Sequence, residues 1–152
     1  MLHSTSKRGV VSMISEIQAI TTLIEDSKLP EAQIKIDEAL ANLSYSPQLY
    51  CLAIQVSVLS NNLKSAFTYA NDAIELFPDD PDILNNTARI LLDFQKSTKS
   101  LGLFKKAILK DSQNILFKFN LYEATIIFNR KIEAEKILKK IYKSIDIKNP
   151  KN

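Results

Sequence analysis

Side chains able to do chemistry are sparse in this sequence, and their spacing suits none of the common reactions. The one histidine, His3, stands at the N-terminus, far in sequence from the one cysteine, Cys51. With no histidine to partner the thiol, Cys51 is expected as a small core or groove residue and not as a nucleophile. A lone histidine also excludes a His-based metal site and a Ser-His-Asp triad. The stretch "PDDPD" gathers Asp79, Asp80 and Asp82. It lacks the ligand spacing of a calcium loop, and helix capping explains it better. The only glycines, Gly9 and Gly102, cannot build a phosphate-cradling loop. The lysine pairs Lys105–Lys106 and Lys139–Lys140 lack the interleaved aromatics of a nucleic-acid surface. No catalytic residue, no metal site and no cofactor are therefore expected, and nucleic acid is not an expected partner.

Chemistry so thin shifts attention to the elements that would position a binding surface. The chain has 152 residues, 45% hydrophobic and 24% charged, which describes a globular domain and not a disordered one. Two glycines are too few for the turns of a sandwich or barrel, so helices are expected. One cysteine allows no internal disulfide, and a reducing, cytoplasmic setting is expected. No apolar run reaches the ~18 residues of a membrane span. Residues 1–12 carry Lys7 and Arg8 with no apolar core behind them, so they read as a flexible tail and not as a signal peptide.

The stretch "SAFTYANDAIELFPDDP", residues 65–81, reveals the organisation. Stepping 34 residues back and forward from Ala66 gives Ala32, Ser100 and Ala134, all small. The same step from Ala73 gives Ala39, Ala107 and Ile141. The frame holds without insertion over four units: 13–46, 47–80, 81–114 and 115–148. Each unit contains two helical patterns. Ser46 and Asp80 are expected as N-caps before Pro47 and Pro81, which suit the first helical position. Asn61 and Asn129 fall between paired helices, where a left-handed residue is useful. A helix pair of this size cannot bury its own apolar face, whereas stacked pairs share a continuous core. The small residues would lie where the paired helices cross, because a large side chain there would push the axes apart.

Residues 13–148 resemble the tetratricopeptide repeat family. In the second unit, Tyr50, Ala66, Ala73 and Pro78 stand where the family pattern has an aromatic, two alanines and a closing proline. The third unit keeps Leu84, Ala88, Phe104 and Ala107. Ile20, Ile54 and Tyr122 depart from the small residue found at the place of Ala88, and Glu16 and Lys118 replace the early aromatic. The resemblance implies an all-α fold: a right-handed α-solenoid of four antiparallel helix pairs, with residues 149–152 as a short C-terminal tail.

A solenoid needs a polar end. The residue after the crossing position is Gln33, Phe67 and Leu101 in three units and Glu135 in the last, where Lys139 and Lys143 continue a charged face. Tyr142 and Ile145 are expected to stay exposed beside it. Charge also divides along the chain. Six acids against Lys28 and Lys35 leave the first unit at −4, and four acids against Lys64 leave the second at −3. Six bases against three acids make the third +3, and eight against four make the last +4. Opposite signs at two ends can steer a partner or support homo-oligomers.

The resemblance implies that the first helices of successive units line a concave groove for an extended peptide or partner helix. Gln18, Leu52, Asn86 and Asn120 share one register position, and Thr21, Gln55, Arg89 and Glu123 share the next. Side-chain amides can grip a peptide backbone. Arg89 is expected either to receive a partner carboxylate or to pair with Glu123. Some family members clamp a C-terminal carboxylate with lysines, an arginine and asparagines. The matching places here hold Cys51, Gln55, Asn86, Leu116 and Asn120, which lack the cations, so that clamp is not expected. The expected function is a non-catalytic protein–protein interaction module, with Gln18, Gln55, Asn86, Arg89, Asn120 and Glu123 as groove residues. The alternatives are a self-assembling structural subunit, or the helical interaction part of a larger enzyme or secretion-chaperone system.

Overall fold

A computed structural model describes residues 4–42 and 45–148. Its helices are α1 (Ser4–Glu25), α2 (Leu29–Ala41), α3 (Pro47–Leu59), α4 (Leu63–Leu76), α5 (Pro81–Gln95), α6 (Lys99–Lys110), α7 (Ile115–Ile127) and α8 (Lys131–Lys148). No strand occurs among the described residues. α1 with α2, α5 with α6 and α7 with α8 pair as the 34-residue frame requires. By packing, the chain divides into two units, Met1–Ala73 and Ile74–Asn152.

In the first unit, α1 packs on α2 and α3, and α2 packs on α3. Ile20, Ala32, Ile36, Ala39, Leu49, Ala53 and Val56 form its core. Tyr69 closes one side. Gln33 Nε2 donates to the Tyr69 hydroxyl at 3.0 Å and to Asp37 Oδ1 at 2.8 Å. The Tyr69 hydroxyl in turn donates to Asp37 Oδ1 at 3.3 Å. Burial pushes the Tyr69 hydroxyl up from its ordinary value, against the lowering effect of Gln33, so it stays a neutral donor.

In the second unit, α5 packs on α6 and α7, α6 on α7, and α7 on α8. Its main core joins Ala88, Leu92, Leu101, Phe104, Leu121, Ala124, Ile137 and Ile141. Leu84, Ala107 and Phe117 make a second cluster. The crossing positions Ala32, Ala66, Ser100 and Ala134 are all buried, as the spacing predicts. Ser100 keeps its hydroxyl satisfied by donating to Ser97 O at 2.7 Å, which is how a polar residue occupies a place meant for a methyl group.

The turns within helix pairs share one chemistry. Ser27, Asn61 and Asn129 are left-handed, and the next residues, Lys28, Asn62 and Arg130, donate their N–H to Leu23 O, Ser57 O and Thr125 O at 2.8 Å. This bond satisfies a carbonyl that the ending helix leaves without a partner. The third pair differs. Its left-handed residue is Lys96, one place later than the frame predicts, and Ser97 N–H reaches back to Leu91 O at 3.0 Å. α5 thus runs two residues longer than α3 or α7 while Ser100 stays in register, so the turn absorbs the change.

Caps at the first helices follow the sequence. Leu49 N–H donates to Ser46 Oγ at 3.1 Å, and Phe117 N–H donates to Asn114 Oδ1 at 3.4 Å. Asp80 Oδ1 accepts from both Asp82 N–H and Ile83 N–H, at 3.1 and 3.0 Å. Asp79 points to other partners, the ammonium groups of Lys110 at 3.1 Å and Lys106 at 3.4 Å, and these hold its carboxyl below the usual range. The two neighbouring aspartates therefore do separate jobs. Asp80→Ala is expected to lower stability by about 0.5–2 kcal/mol. Asp79→Ala, which loses only solvent-exposed ion pairs, is expected to cost less than Asp80→Ala. Urea denaturation of the two variants checks the order.

One expectation needs correction. Residues 4–12, read as part of a flexible tail, belong to α1. Once the packed part of α1 has nucleated, each added residue contributes a hydrogen bond, and Gly9 opposes this by only about 1 kcal/mol. Val11 in the extension is exposed, as is Ile14 just after it. The expected tail at 149–152 lies outside the described residues.

Candidate functional site

The polar row expected in the groove is most fully defined in the second unit, on α5 and α7. Asn86 and Arg89 on α5 match Asn120 and Glu123 on α7 in the 34-residue frame. Their helices are in contact. Arg89 Nη1 donates to Glu123 Oε2, and Arg89 Nη2 lies 3.5 Å from Glu123 Oε1. A bond between register mates is direct evidence that α5 and α7 present corresponding faces side by side.

Arg89 is doubly engaged. Its Nε also donates to Asp93 Oδ2 at 2.8 Å, one turn along α5. Donation to the Glu123 carboxylate is the main reason its guanidinium is raised above its ordinary value. One cation shared by two carboxylates leaves the trio at −1. Of the two outcomes expected for Arg89, the structure has the pairing with Glu123: its donors serve Glu123 and Asp93, and an added anion would meet net negative charge.

The asparagines also differ from one another. Asn120 Nδ2 donates to the Oδ1 of buried Asn85 at 2.9 Å, so part of its amide serves the contact between α5 and α7. Asn86 is half-buried, and its side chain makes no hydrogen bond among the described residues. Of the two register mates, its amide is the uncommitted one.

Two apolar residues complete this face. Leu116, Asn120, Glu123 and Ile127 fall at i, i+4, i+7 and i+11 on α7, a spacing that shares one side of a helix. Leu116 is 62% exposed and Ile127 42%. From sequence, Leu116 stands at a place of the carboxylate clamp without its cation, and Ile127 carries no expectation. The frame carried the signal, since they are the register mates of Asp82 and Asp93.

In the first unit, Gln18 on α1 and Gln55 on α3 are both exposed, with no side-chain hydrogen bond among the described residues. The structure does not join them to each other. Thr21 turns its hydroxyl inward, donating to Ile17 O at 2.8 Å. Cys51, the one cysteine of the chain, is half-buried on α3.

Among the described residues, no group of histidine, cysteine, aspartate or glutamate is arranged to hold a metal. No helix there is long and apolar enough to cross a membrane.

No protein-family model matches the sequence, and no curated protein matches it at a significant level. Solved structures do match. The crystal structure of MamA superposes with a TM-score of 0.78 at 15% identity, over 90% of this chain and 80% of that one. YrrB, described as a TPR protein with an unusual peptide-binding site, gives 0.70 at 17% identity, over 87% and 68% of the two chains. TTC0263, a thermophilic TPR protein of Thermus thermophilus, gives 0.72 at 10% identity, over 88% and 75%. With helices paired in a 34-residue frame and these superpositions, the chain has the tetratricopeptide-repeat fold.

Proposed function

We propose that the chain is a non-catalytic interaction module that binds a peptide or partner protein along its first-helix faces. One observation carries this reading. On α5 and α7, a half-buried amide without a hydrogen bond, Asn86, shares a face with exposed Leu116 and Ile127. An extended segment placed there would bond its backbone to Asn86 and lay an apolar side chain on Leu116 or Ile127. The trio of Arg89, Glu123 and Asp93 adds a negative edge, which favours a donor-rich or basic segment. Gln18 and Gln55 offer two further amides to a partner in the first unit. The fold it shares with YrrB, described as having a peptide-binding site, supports the same reading.

The test is a capture experiment followed by titration. Partners recovered on the immobilised chain are identified by mass spectrometry, and the tightest is titrated calorimetrically against wild type and Asn86→Ala. The expected loss is about tenfold in affinity, the value of one hydrogen bond to a buried polar group. Asn86 is the clean position. Asn120→Ala also removes the bond to Asn85, so its effect would mix binding with stability. Equal affinity for the Asn86 variant and wild type removes this face from the mechanism.

A further inference from the structure

The second helices of the last two pairs enclose another surface. Between α6 and α8 lies an open groove of about 1160 Å³, with Leu121 of α7 among the residues lining it. None of the α5 and α7 face residues named above lines it. Its apolar lining includes Leu109, 82% exposed, and Ile132, 73% exposed. Ile108 and Ile137 line it more deeply.

Charge around this groove is one-sided. Lys105, Arg130, Lys131, Lys136 and Lys140 line it, against the single acid Glu133. Glu133 is already used: Lys105 Nζ lies 2.6 Å from its Oε1, and Arg130 Nη1 lies 3.5 Å from its Oε2. The Lys105 hydrogen bond holds its carboxyl below the usual range, so Glu133 stays charged and the bridge from α6 to α8 persists in mild acid. Lys131, Lys136 and Lys140 make no ion pair among the described residues and are exposed. The result is an apolar lining with three uncommitted ammonium groups.

Spacing adds direction. Ile132, Lys136 and Lys140 recur every four residues along α8, and Lys105 and Leu109 do so along α6. Both walls are thus helix stripes that combine an exposed apolar side chain with cations. From Lys131 to Lys140 the wall runs roughly 14 Å at 1.5 Å per residue.

We propose that this groove binds an acidic amphipathic helix of a partner protein. Its apolar side chains lie on Leu109 and Ile132, and its carboxylates pair with Lys131, Lys136 and Lys140. Charge complementarity selects this occupant over a basic segment, which the α5 and α7 face suits better. The inference goes beyond the reading above, because it concerns different residues, a different pair of helices and a ligand of opposite charge.

A fluorescein-labelled peptide of about 14 residues, about 21 Å long as a helix, serves as the probe. It carries leucines at i, i+4 and i+7 and glutamates elsewhere, and a matched peptide with lysines in place of glutamates is the control. Fluorescence anisotropy is expected to show binding of the acidic peptide alone, weakening with added salt. Lys136→Glu combined with Lys140→Glu is expected to weaken it by about tenfold or more. Leu109→Ser combined with Ile132→Ser is expected to weaken it to a similar degree, at unchanged helicity by circular dichroism. These positions are exposed, so folding is not at stake, and Asn86→Ala should leave this binding intact.

Several results overturn the proposal. One is equal binding of the lysine peptide, and another is indifference to both double variants. Complete displacement of the peptide by single-stranded RNA at matched charge would make the surface a generic polyanion site. Self-association of the chain that the same variants abolish would make the occupant a second copy.

Discussion

Phe104→Ala is expected to lower the stability of the second unit by about 3–5 kcal/mol. Phe104 has no exposed surface and is the largest fully buried side chain among the described residues. It sits in one cluster with residues from α5, α6, α7 and α8: Ala88 and Leu92, Leu101, Leu121 and Ala124, and Ile137 and Ile141. Truncation removes a ring and leaves a cavity that rigid helices cannot close. The expected loss is a large share of the about 5–15 kcal/mol that keeps an ordinary domain folded. Guanidinium denaturation followed by circular dichroism measures it, as a lower midpoint at unchanged slope. A change below about 1 kcal/mol would mean that Phe104 does not organise this core.

The second large effect concerns one position of the repeat that takes different residues in different units. Ala39, Ala73 and Ala107 hold it in the first three, and Ile141 holds it in the last. All four side chains are buried. Ala107 clusters with Leu84 and Phe117. Ile141 clusters with Leu121, Ala124 and Ile137. Ala107→Ile would force three carbons into a filled site, at an expected cost of about 1–3 kcal/mol. Ile141→Ala would leave a hole, at an expected cost of about 2–5 kcal/mol. The two variants carry opposite exchanges at equivalent positions, yet both should destabilise. A repeat pattern alone says the reverse for Ile141, since alanine is what the other units use. Thermal unfolding of the pair separates the accounts: a higher Tm for Ile141→Ala would show that the last unit wants the shared residue.

The contrast between Ala107 and Ile141 illustrates how far periodicity reaches. Ala32, Ala66, Ser100 and Ala134 were legible as crossing points because helix packing constrains residue size at a fixed phase, and size is written in the residue type. Ser46 and Asp80 were legible as caps because capping is local: an oxygen reaches an N–H two or three residues on. Asn61 and Asn129 were legible for the same reason. Lys96 was not, since lysine carries no left-handed preference and the one-residue shift of that turn is absorbed before Ser100. The helical start of α1 was also missed, because residues 4–12 have no strong apolar period, and helix propagation from a packed segment does not need one.

At the candidate site, residue positions were legible and residue partners were not. The 34-residue step alone puts Asn86 beside Asn120 and Arg89 beside Glu123. Whether Arg89 faces outward or bonds to Glu123 depends on side-chain rotamers and on an interhelical distance of a few ångströms. The same holds for Asn120, which turns to Asn85 and leaves Asn86 as the open amide. The groove between α6 and α8 was hidden for another reason. Its walls are residues of two helices from different pairs, so no single helical pattern announces the space between them.

By itself, then, the sequence determined the helix pairs, their phase, their caps and the small residues at their crossings, because these follow from local geometry and from size repeated at a constant interval. Tertiary structure alone decided which charges are spent and which are free. Arg89 is committed to Glu123 and Asp93, while Lys131, Lys136 and Lys140 are left around an apolar groove. That division depends on distances between helices, and Coulomb and hydrogen-bond energies fall too steeply with distance for residue order to reveal them.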